Sequence, residues 1–440
     1  MAEKIFLISL GCAKNLVNSE QMLSILDREG YTIVNTPEEC DIAIVNTCGF
    51  IDSAKSEAID VILKLAGLKS DGVIKGLIVA GCLTQRYKDE FLKELPEVDA
   101  ALGTGSYNDI AEAVRAVSEG NGGEWYKPSS ACDFSGRRHL LTPPYYAYLR
   151  IAEGCDNRCA YCVIPYIRGP YRSREMNSLI DEAKTLAAQG AKELLIIAQD
   201  ITRYGVDLYG ERMLYKLLEE LCRIDGIEWI RLHYMYPDEI DDRLLETIRD
   251  NEKILKYFDL PLQHINDKVL KEMNRRGSGA LIKERITKIR QMMPQGVFRT
   301  SMIVGFPGET EEEFQELYDF LAEYKLERAG FFCYSQEEGA PSAKREDQIP
   351  ENIKEKRRIK LFELQERIMD EVSSELIGKT LEVLCCGYDE SGRQYGRSYM
   401  DSVDVDGVVF FDDDRVKEGE FVTIKIIDAV ASELYGETVK

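Results

Sequence analysis

The chain has 440 residues, 44% of them apolar, which is enough for the cores of roughly two to four globular domains. Its formal net charge of −22 weighs against binding a polyanion without a local basic patch and favours a cationic partner. No apolar run approaches the roughly 18 to 20 residues of a membrane span, and the run at 5–10 is too short for a signal peptide. Twelve cysteines in a chain of this size indicate metal ligands in a reducing compartment, so we expect a cytoplasmic protein without membrane contact.

Residues 1–130 are predicted to form a small, doubly wound α/β domain. Short, continuous apolar runs at 5–10, 42–45 and 77–80 are typical of parallel strands that are covered on both faces. Helical patterns lie between these runs and place their apolar residues on one face.

One cysteine follows each of these three predicted strands: Cys12, Cys48 and Cys82. Because the carboxyl ends of parallel strands meet at one edge of an open sheet, we expect this N-terminal trio to converge on a metal cluster with one open iron. The alternative is that each is a small buried hydrophobic residue. We adopt that interpretation for six further cysteines: Cys40, Cys132, Cys222, Cys333, Cys385 and Cys386.

Residues 131–144 are predicted to be a linker, within a stretch from 120 to 144 that is rich in Gly, Pro and Ser. Residues 145–374 repeat strand and helix. Six such units predict a partial or full parallel barrel, with its chemistry at the carboxyl ends of the strands. We predict the strands at 145–151, 193–198, 228–233, 256–260, 297–304 and 330–334.

Three further cysteines follow the first barrel strand at the spacing C-x3-C-x2-C: Cys155, Cys159 and Cys162, the central trio. Thiolates this close must surround one compact centre, either zinc or an iron-sulfur cluster. A structural zinc site needs a fourth Cys or His nearby, and the next cysteine is Cys222. The spacing therefore favours a 4Fe-4S cube that leaves one iron open for chemistry, with zinc as the alternative.

Polar residues follow the other predicted barrel strands. Gln199 and Asp200 follow the second strand, and Gly305 opens a turn after the fifth. This turn lacks Lys and runs into acidic residues that repel phosphate, so it suits backbone contact with a purine or a plain strand-to-helix turn. We expect His233 and His264 to be satisfied polar side chains at the barrel mouth rather than metal ligands.

Residues 375–440 are predicted to form a small antiparallel β-barrel, because short β-rich runs alternate with turn residues. This segment has 15 Asp and Glu against 7 Lys and Arg, a net charge of −8. Counterion release cannot help such a surface to bind phosphates, so nucleic acid is disfavoured and a basic protein partner is favoured.

The whole chain resembles the radical SAM (S-adenosylmethionine) methylthiotransferases, which have an N-terminal domain with three cluster cysteines, a radical SAM barrel and a C-terminal TRAM domain. Residues 9–20 (SLGCAKNLVNSE), 146–174 and 396–407 (GRSYMDSVDVDG) resemble the RimO type. Where the branch acting on transfer RNA usually has Gln-Met-Asn after the first Cys, this chain has Ala-Lys-Asn. It departs from the RimO type at Ala13, where Pro is common, and at 402–404, where Ala-Pro-Glu is usual.

This resemblance implies methylthiolation of the β-carbon of an aspartate in the S-twelve protein of the small ribosomal subunit (uS12). It implies SAM as radical source and methyl donor and two 4Fe-4S clusters, the one at the N-terminal trio acting in sulfur transfer. Tyr161 would lie along the adenine, with Gln199, Asp200 and Gly305 as further candidate SAM contacts. The acidic TRAM domain would dock the basic ribosomal protein, and an electron donor is required. No catalytic residue is assigned beyond the cluster ligands.

Three alternatives remain open at this point. A methylthiotransferase acting on an adenosine of transfer RNA predicts a basic terminal barrel and salt-sensitive retention of RNA. A non-catalytic iron-sulfur electron carrier predicts no 5′-deoxyadenosine when SAM and a reductant are supplied. A zinc-bearing ribosome-binding module would be distinguished by elemental analysis.

Overall fold

In the computed structural model, residues 3–132 and 136–439 are described. Positions 133–135 of the predicted linker, and the outermost positions of the first and last predicted domains, 1–2 and 440, lie outside the described residues. No helix within the described ranges is both long enough and apolar enough to pass through a membrane.

The N-terminal part is a six-stranded parallel sheet with the order β2-β1-β3-β4-β5-β6. Its strands are β1 (Lys4–Ser9), β2 (Thr32–Val34), β3 (Ile42–Thr47), β4 (Gly76–Gly81), β5 (Ala100–Leu102) and β6 (Gly123–Trp125). Its helices are α1 (Ala13–Arg28), α2 (Asp52–Ser70), α3 (Cys82–Glu94) and α4 (Ile110–Ser118). Helices α1 and α4 cover one face of the sheet, and α2 and α3 cover the other, which confirms the doubly wound arrangement.

The central part is an open, six-stranded parallel sheet with the order β14-β13-β12-β11-β10-β7. Its strands are β7 (Tyr146–Arg150), β10 (Glu193–Ile197), β11 (Trp229–Leu232), β12 (Ile254–Asp259), β13 (Val297–Val304) and β14 (Arg328–Cys333). A short antiparallel pair, β8 (Ala152–Glu153) and β9 (Arg172–Ser173), lies beside it. Six parallel strands that stop short of closure confirm the partial barrel.

Helices of two lengths follow the strands of this central sheet. The long ones are α6 (Met176–Ala188), α8 (Leu214–Cys222), α9 (Asp242–Asp250), α11 (Gly279–Met292), α12 (Glu311–Tyr324) and α13 (Glu351–Ser374). The short ones are α5 (Ile164–Arg168), α7 (Val206–Tyr209) and α10 (Asp267–Glu272). Most of the long helices cover the outer face of the sheet, where Leu194 and Ile196 of β10 join the largest apolar core.

The C-terminal part is a closed, five-stranded barrel with the order β15-β16-β17-β19-β18. Its strands are β15 (Thr380–Tyr388), β16 (Gln394–Ser398), β17 (Val408–Phe410), β18 (Phe421–Val430) and β19 (Glu433–Thr438). All pairs are antiparallel except β17 with β19. This barrel packs on the other face of the central sheet, where Leu195 and Tyr257 share a core with Val383 and Val409.

The predicted linker region differs from the structure at its start. The stretch from 120 contains β6, which pairs in parallel with β5 and completes the N-terminal sheet. Strands β2, β5 and β6 have three residues each, too few for the alternation or apolar run by which a strand is recognised in a sequence.

A buried ion network joins the central sheet to the C-terminal barrel. Glu193 accepts from Arg231 at 2.7 Å and from Arg397 of β16 at 2.6 Å, and the side chain of Glu193 is fully buried. Burial alone would raise the pKa of Glu193, but the two guanidinium groups hold it at about 2, below the ordinary value of 4.5. The carboxylate therefore remains ionised in the fold over most of the pH range.

Glu193→Gln is expected to lower the free energy of unfolding by about 3–5 kcal/mol at pH 7, because it leaves two buried cations without their counter-charge. This stabilising contribution is fully present above pH 4.5 and is lost as pH falls through about 2, since the folded-state pKa is depressed. Urea unfolding at several pH values checks both statements. Glu246→Gln, an exposed position on α9, is the control, and an equal effect of both variants would contradict the prediction.

Candidate metal centre

The N-terminal trio lies at the carboxyl edge of its sheet. Strand order changes direction between β1 and β3, which opens a crevice at that edge. Cys12 follows β1, Cys48 follows β3 and Cys82 begins α3 directly after β4. Burial, together with the neighbouring Cys82 and Cys12, raises the pKa of the Cys48 thiol to about 12. The structure thus brings the three predicted residues together.

Two glycines allow the loops that carry Cys12, Cys48 and Cys82 to lie close to one another. Gly11 has a φ of +85°, and a Cβ at this position would lie 2.6 Å from the Cβ of Cys48. Gly81 has a φ of +111°, and a Cβ there would lie 2.5 Å from the carbonyl oxygen of Thr47. Any larger residue at these positions would adopt a strained backbone and push the loops apart.

Asn15 ties the loops together from the first turn of α1. Its Nδ2 donates to the carbonyl oxygens of Leu10 at 3.0 Å and Thr47 at 2.8 Å, while its own carbonyl accepts from Asn46 Nδ2 at 2.9 Å. Asn15 was not among the site residues predicted from the sequence. Its position three residues after Cys12, inside the segment that carries the resemblance, was the available signal.

The central trio lies on the loop between β8 and α5. The backbone N–H of Cys155 donates to Gly169 at 3.1 Å, and that of Cys162 donates to Cys159 at 3.0 Å. Burial, together with the neighbouring Cys159, raises the pKa of the Cys155 thiol to about 11. Nη1 of Arg275 lies 3.9 Å from the sulfur of Cys159. Here too the predicted cysteines lie together.

The donor set of each trio fits an iron-sulfur cluster. Three soft sulfur ligands suit a 4Fe-4S cube and leave one iron without a side-chain ligand. Among residues 3–132 and 136–439, no three His, Cys, Asp or Glu side chains converge tightly enough to coordinate a single metal ion. A cube attaches each thiolate to a different iron, so its ligands stand farther apart than those of one ion.

The candidate SAM contacts differ in whether their polar atoms already have partners within the protein. Tyr161 packs against a small apolar cluster that includes Phe306 and Tyr334. Gln199 donates from Nε2 to Glu153 at 2.7 Å, and its buried Oε1 has no partner among the described residues. Asp200 is already engaged, since it accepts from Asn157 Nδ2 and from the backbone N–H of Thr202, each at 3.1 Å.

In the turn after β13, two backbone N–H groups donate to a carboxylate of the same turn. Those of Gly305 and Phe306 donate to the Glu309 carboxylate at 2.5 and 3.1 Å, and Arg357 also donates to it at 3.1 Å. Burial, only partly offset by Arg357, raises the pKa of Glu309 to about 7. These contacts favour the strand-to-helix alternative for the amides of the turn, and a SAM contact of Gly305 stays a prediction.

The two barrel histidines differ in how fully they are satisfied. His233 contacts Asp259 at 3.1 Å and Ser402 at 3.0 Å, which confirms the expectation of a satisfied polar side chain. Nδ1 of His264 accepts from the N–H of Asn266 at 3.0 Å, but its buried Nε2 has no partner among the described residues. Burial lowers the pKa of His264 to about 3, so this ring is neutral.

The loops that carry the two trios lie against each other. Cys82 packs with Val163 and Ile167, which follow the central trio in the chain. Arg168 at the end of α5 donates to the Cys82 sulfur at 3.2 Å and to the Glu153 carboxylate at 3.1 Å. Glu153 directly precedes the central loop, so one guanidinium links the two candidate centres.

A second link is the segment 335–344 after β14. The carboxylate of Glu337 accepts from the N–H of Asp52 at 2.9 Å, from Arg86 at 3.1 Å and from Lys55 at 3.2 Å. Farther along the segment, the N–H of Ser342 donates to Ala160 in the central loop at 2.9 Å. The segment thus contacts both cysteine-bearing regions. Glu337 belongs to no recognised motif and was not predicted from the sequence.

Three protein families match separate parts of the chain. The Radical SAM superfamily matches residues 149–321, the uncharacterized protein family UPF0004 matches 4–103 and the TRAM domain matches 377–439. The central trio lies within the first match and the N-terminal trio within the second.

Curated relatives match nearly the whole chain. The "Ribosomal protein uS12 methylthiotransferase RimO" of Thermoanaerobacter sp. (strain X514) is 48% identical over 437 residues, which are 99% of this chain and 100% of the relative. The chain belongs to the RimO family of radical SAM methylthiotransferases. A second RimO protein, from Clostridioides difficile (strain 630), is 46% identical over 99% of this chain and 98% of its own length. Membership of the radical SAM superfamily implies one 4Fe-4S cluster and SAM.

Solved structures share the fold at much lower identity. The radical SAM methyltransferase TsrM from Kitasatospora setae has a TM-score of 0.58 at 15% identity, covering 75% of this chain and 73% of TsrM. The cobalamin-dependent SAM radical enzyme OxsB has a TM-score of 0.51 at 11% identity, covering 83% of this chain and 56% of OxsB. At such identities the likeness concerns the fold alone.

Proposed function

We propose that this RimO-family chain methylthiolates the β-carbon of an aspartate in ribosomal protein uS12. The relatives named for that reaction match it from end to end. The observation that carries the proposal is the contact between the loops of the two trios. Cleaving SAM needs the central trio alone, so a second set of three thiols beside it points to a transfer step.

In this proposal the N-terminal trio holds a second 4Fe-4S cluster. The clusters and SAM, when bound, supply a radical that removes an unactivated hydrogen and the sulfur and methyl group that replace it. The chain's own residues position these groups relative to one another and keep water away, since Cys82 lies among apolar side chains.

We also propose that the chain divides into an N-terminal domain at 1–130, a linker at 131–144, a radical SAM domain at 145–374 and a TRAM domain at 375–440. This division leaves each sheet within one domain.

For SAM we propose contacts from Tyr161, Gln199, Asp200 and Gly305. Tyr161 offers an aromatic ring within the loop of the central trio, and the buried Oε1 of Gln199 is an acceptor in need of a donor. Asp200 holds Asn157 of the cysteine loop, so it contributes by keeping that loop in place. Gly305 would contribute through its backbone carbonyl at the end of β13, since its N–H is already donated to Glu309.

We further propose that the TRAM barrel docks the basic protein uS12. The barrel segment 375–440 has a net charge of −8. Ser402 contacts His233, so the loop around 402 reaches the central sheet, and this loop carries the exposed Asp404 and Val405.

An electron donor must reduce the central cluster. None of the twelve cysteines forms a disulfide, which supports action in the reducing cytoplasm.

One anaerobic reaction tests the proposal. Reconstituted protein is given SAM, a reductant, uS12 and transfer RNA together, and both macromolecules are analysed by mass spectrometry. We expect a methylthio group on one aspartate of uS12 and unmodified transfer RNA. Modified transfer RNA with unchanged uS12 would overturn the substrate assignment, and absence of 5′-deoxyadenosine would overturn the reaction class.

A further inference from the structure

Arg168 has hydrogen-bond partners in both cysteine-bearing regions. Its Nη1 donates to Asn18 and to Glu153, each at 3.1 Å, and its Nη2 donates to Asn15 and, at 3.2 Å, to the sulfur of Cys82. The residue is only 2% exposed. A guanidinium is always charged and carries donors in a rigid fork, so this permanent cation is fixed between the two trios.

The surroundings of Arg168 are arranged to hold it in this position. Asn15 and Asn18 belong to α1, whose first turn follows Cys12, and Asn15 itself binds the loops of Cys12 and Cys48. On the other side Glu153 also accepts from Arg150 at 2.8 Å and from Gln199 at 2.7 Å. A displacement of either loop would therefore disturb the contact between Arg168 and Cys82.

We propose that Arg168 is a positioning residue that stabilises the cluster of the N-terminal trio and sets its reduction potential through the Cys82 sulfur. This inference rests on the proposed second cluster. A hydrogen bond and a positive charge at a cluster sulfur favour the reduced, more negative state. Partners of metal ligands also hold those ligands in their binding orientation, and their loss weakens metal binding about 10- to 100-fold.

The test uses the full chain with Cys155, Cys159 and Cys162 replaced by Ala, so that only the N-terminal trio can hold iron. Arg168→Gln and Arg168→Lys are made in this background. The control is Arg174→Lys, which alters a buried arginine paired with Glu182 at 2.6 Å. Iron content, iron retention against a chelator and the reduction potential from an EPR-monitored titration are measured, with circular dichroism to verify folding.

We expect the background chain to hold about four irons. Arg168→Gln should shift the potential to more negative values and weaken iron retention about 10- to 100-fold. Arg168→Lys keeps the charge but loses the fork, so it should restore part of the potential, and Arg174→Lys should change neither quantity. Arg168→Lys also keeps the test decisive if the Gln variant fails to fold.

Two failures are distinguishable. A background chain without iron would overturn the second cluster and, with it, this role of Arg168. A background chain with its full iron content, whose potential and iron retention are unchanged by every Arg168 variant that folds, would overturn the role of Arg168 and leave the proposed function intact.

Discussion

Replacing Cys12, Cys48 and Cys82 together by alanine is expected to abolish the modification of uS12 and to lower the iron content from about eight to about four per chain. The central trio lies on a separate loop held by its own backbone contacts, including that of Ala160 with Met273 at 2.8 Å. SAM cleavage to 5′-deoxyadenosine should therefore persist. Iron analysis and product analysis of the same anaerobic preparation check these expectations.

Cys40→Ala is the matched control for this triple variant. Cys40 is a buried cysteine of the same N-terminal part, and burial raises the pKa of its thiol to about 11. It precedes β3 instead of following it, so it lies at the opposite end of that strand from Cys48. Its replacement should leave iron and uS12 modification unchanged. Modification of uS12 by the triple variant would show that the N-terminal trio has no part in sulfur transfer.

Much of the fold follows from short-range pattern in the sequence. The strand predicted at 297–304 coincides with β13 over its whole length. The apolar run at 42–45 lies within β3, which is buried throughout, because a strand covered on both faces has few polar positions to interrupt it. The same reasoning placed Cys12, Cys48 and Cys82 at one edge of a sheet, since strand ends of a parallel sheet share that edge. This inference did not require the order of the strands in the sheet, which reverses direction beside β1.

Contacts between distant parts of the chain could not be predicted in this way. Glu337 lies 285 residues from Asp52, and no periodicity in either segment indicates that they meet. Where the C-terminal barrel docks on the inner face of the central sheet, Arg397 reaches Glu193 across 204 residues. Such contacts form only when the domains pack together, and local sequence patterns do not indicate how they pack.

Glu337→Gln is expected to slow uS12 modification about 100-fold while leaving SAM cleavage in the absence of uS12 nearly unchanged. The side chain of Glu337 is 2% exposed, and its negative charge faces Arg86, 8% exposed, and Lys55, 14% exposed. Its loss frees the start of α2, and with it the loop of Cys48. A displacement of about 1 Å between reacting groups is enough for a rate loss of this size.

Kinetics separate this positioning role from a general loss of structure. The rates of uS12 modification and of 5′-deoxyadenosine formation are measured for Glu337→Gln and for Glu338→Gln, its exposed neighbour. Glu338 contacts Arg86 through its backbone carbonyl, which the substitution retains, so both rates should stay at the wild-type level. In Glu337→Gln only modification should fall, with an unchanged KM for SAM, because the central loop keeps its own contacts. An equal fall of both rates would mean that Glu337 stabilises the whole fold and does not align the two trios.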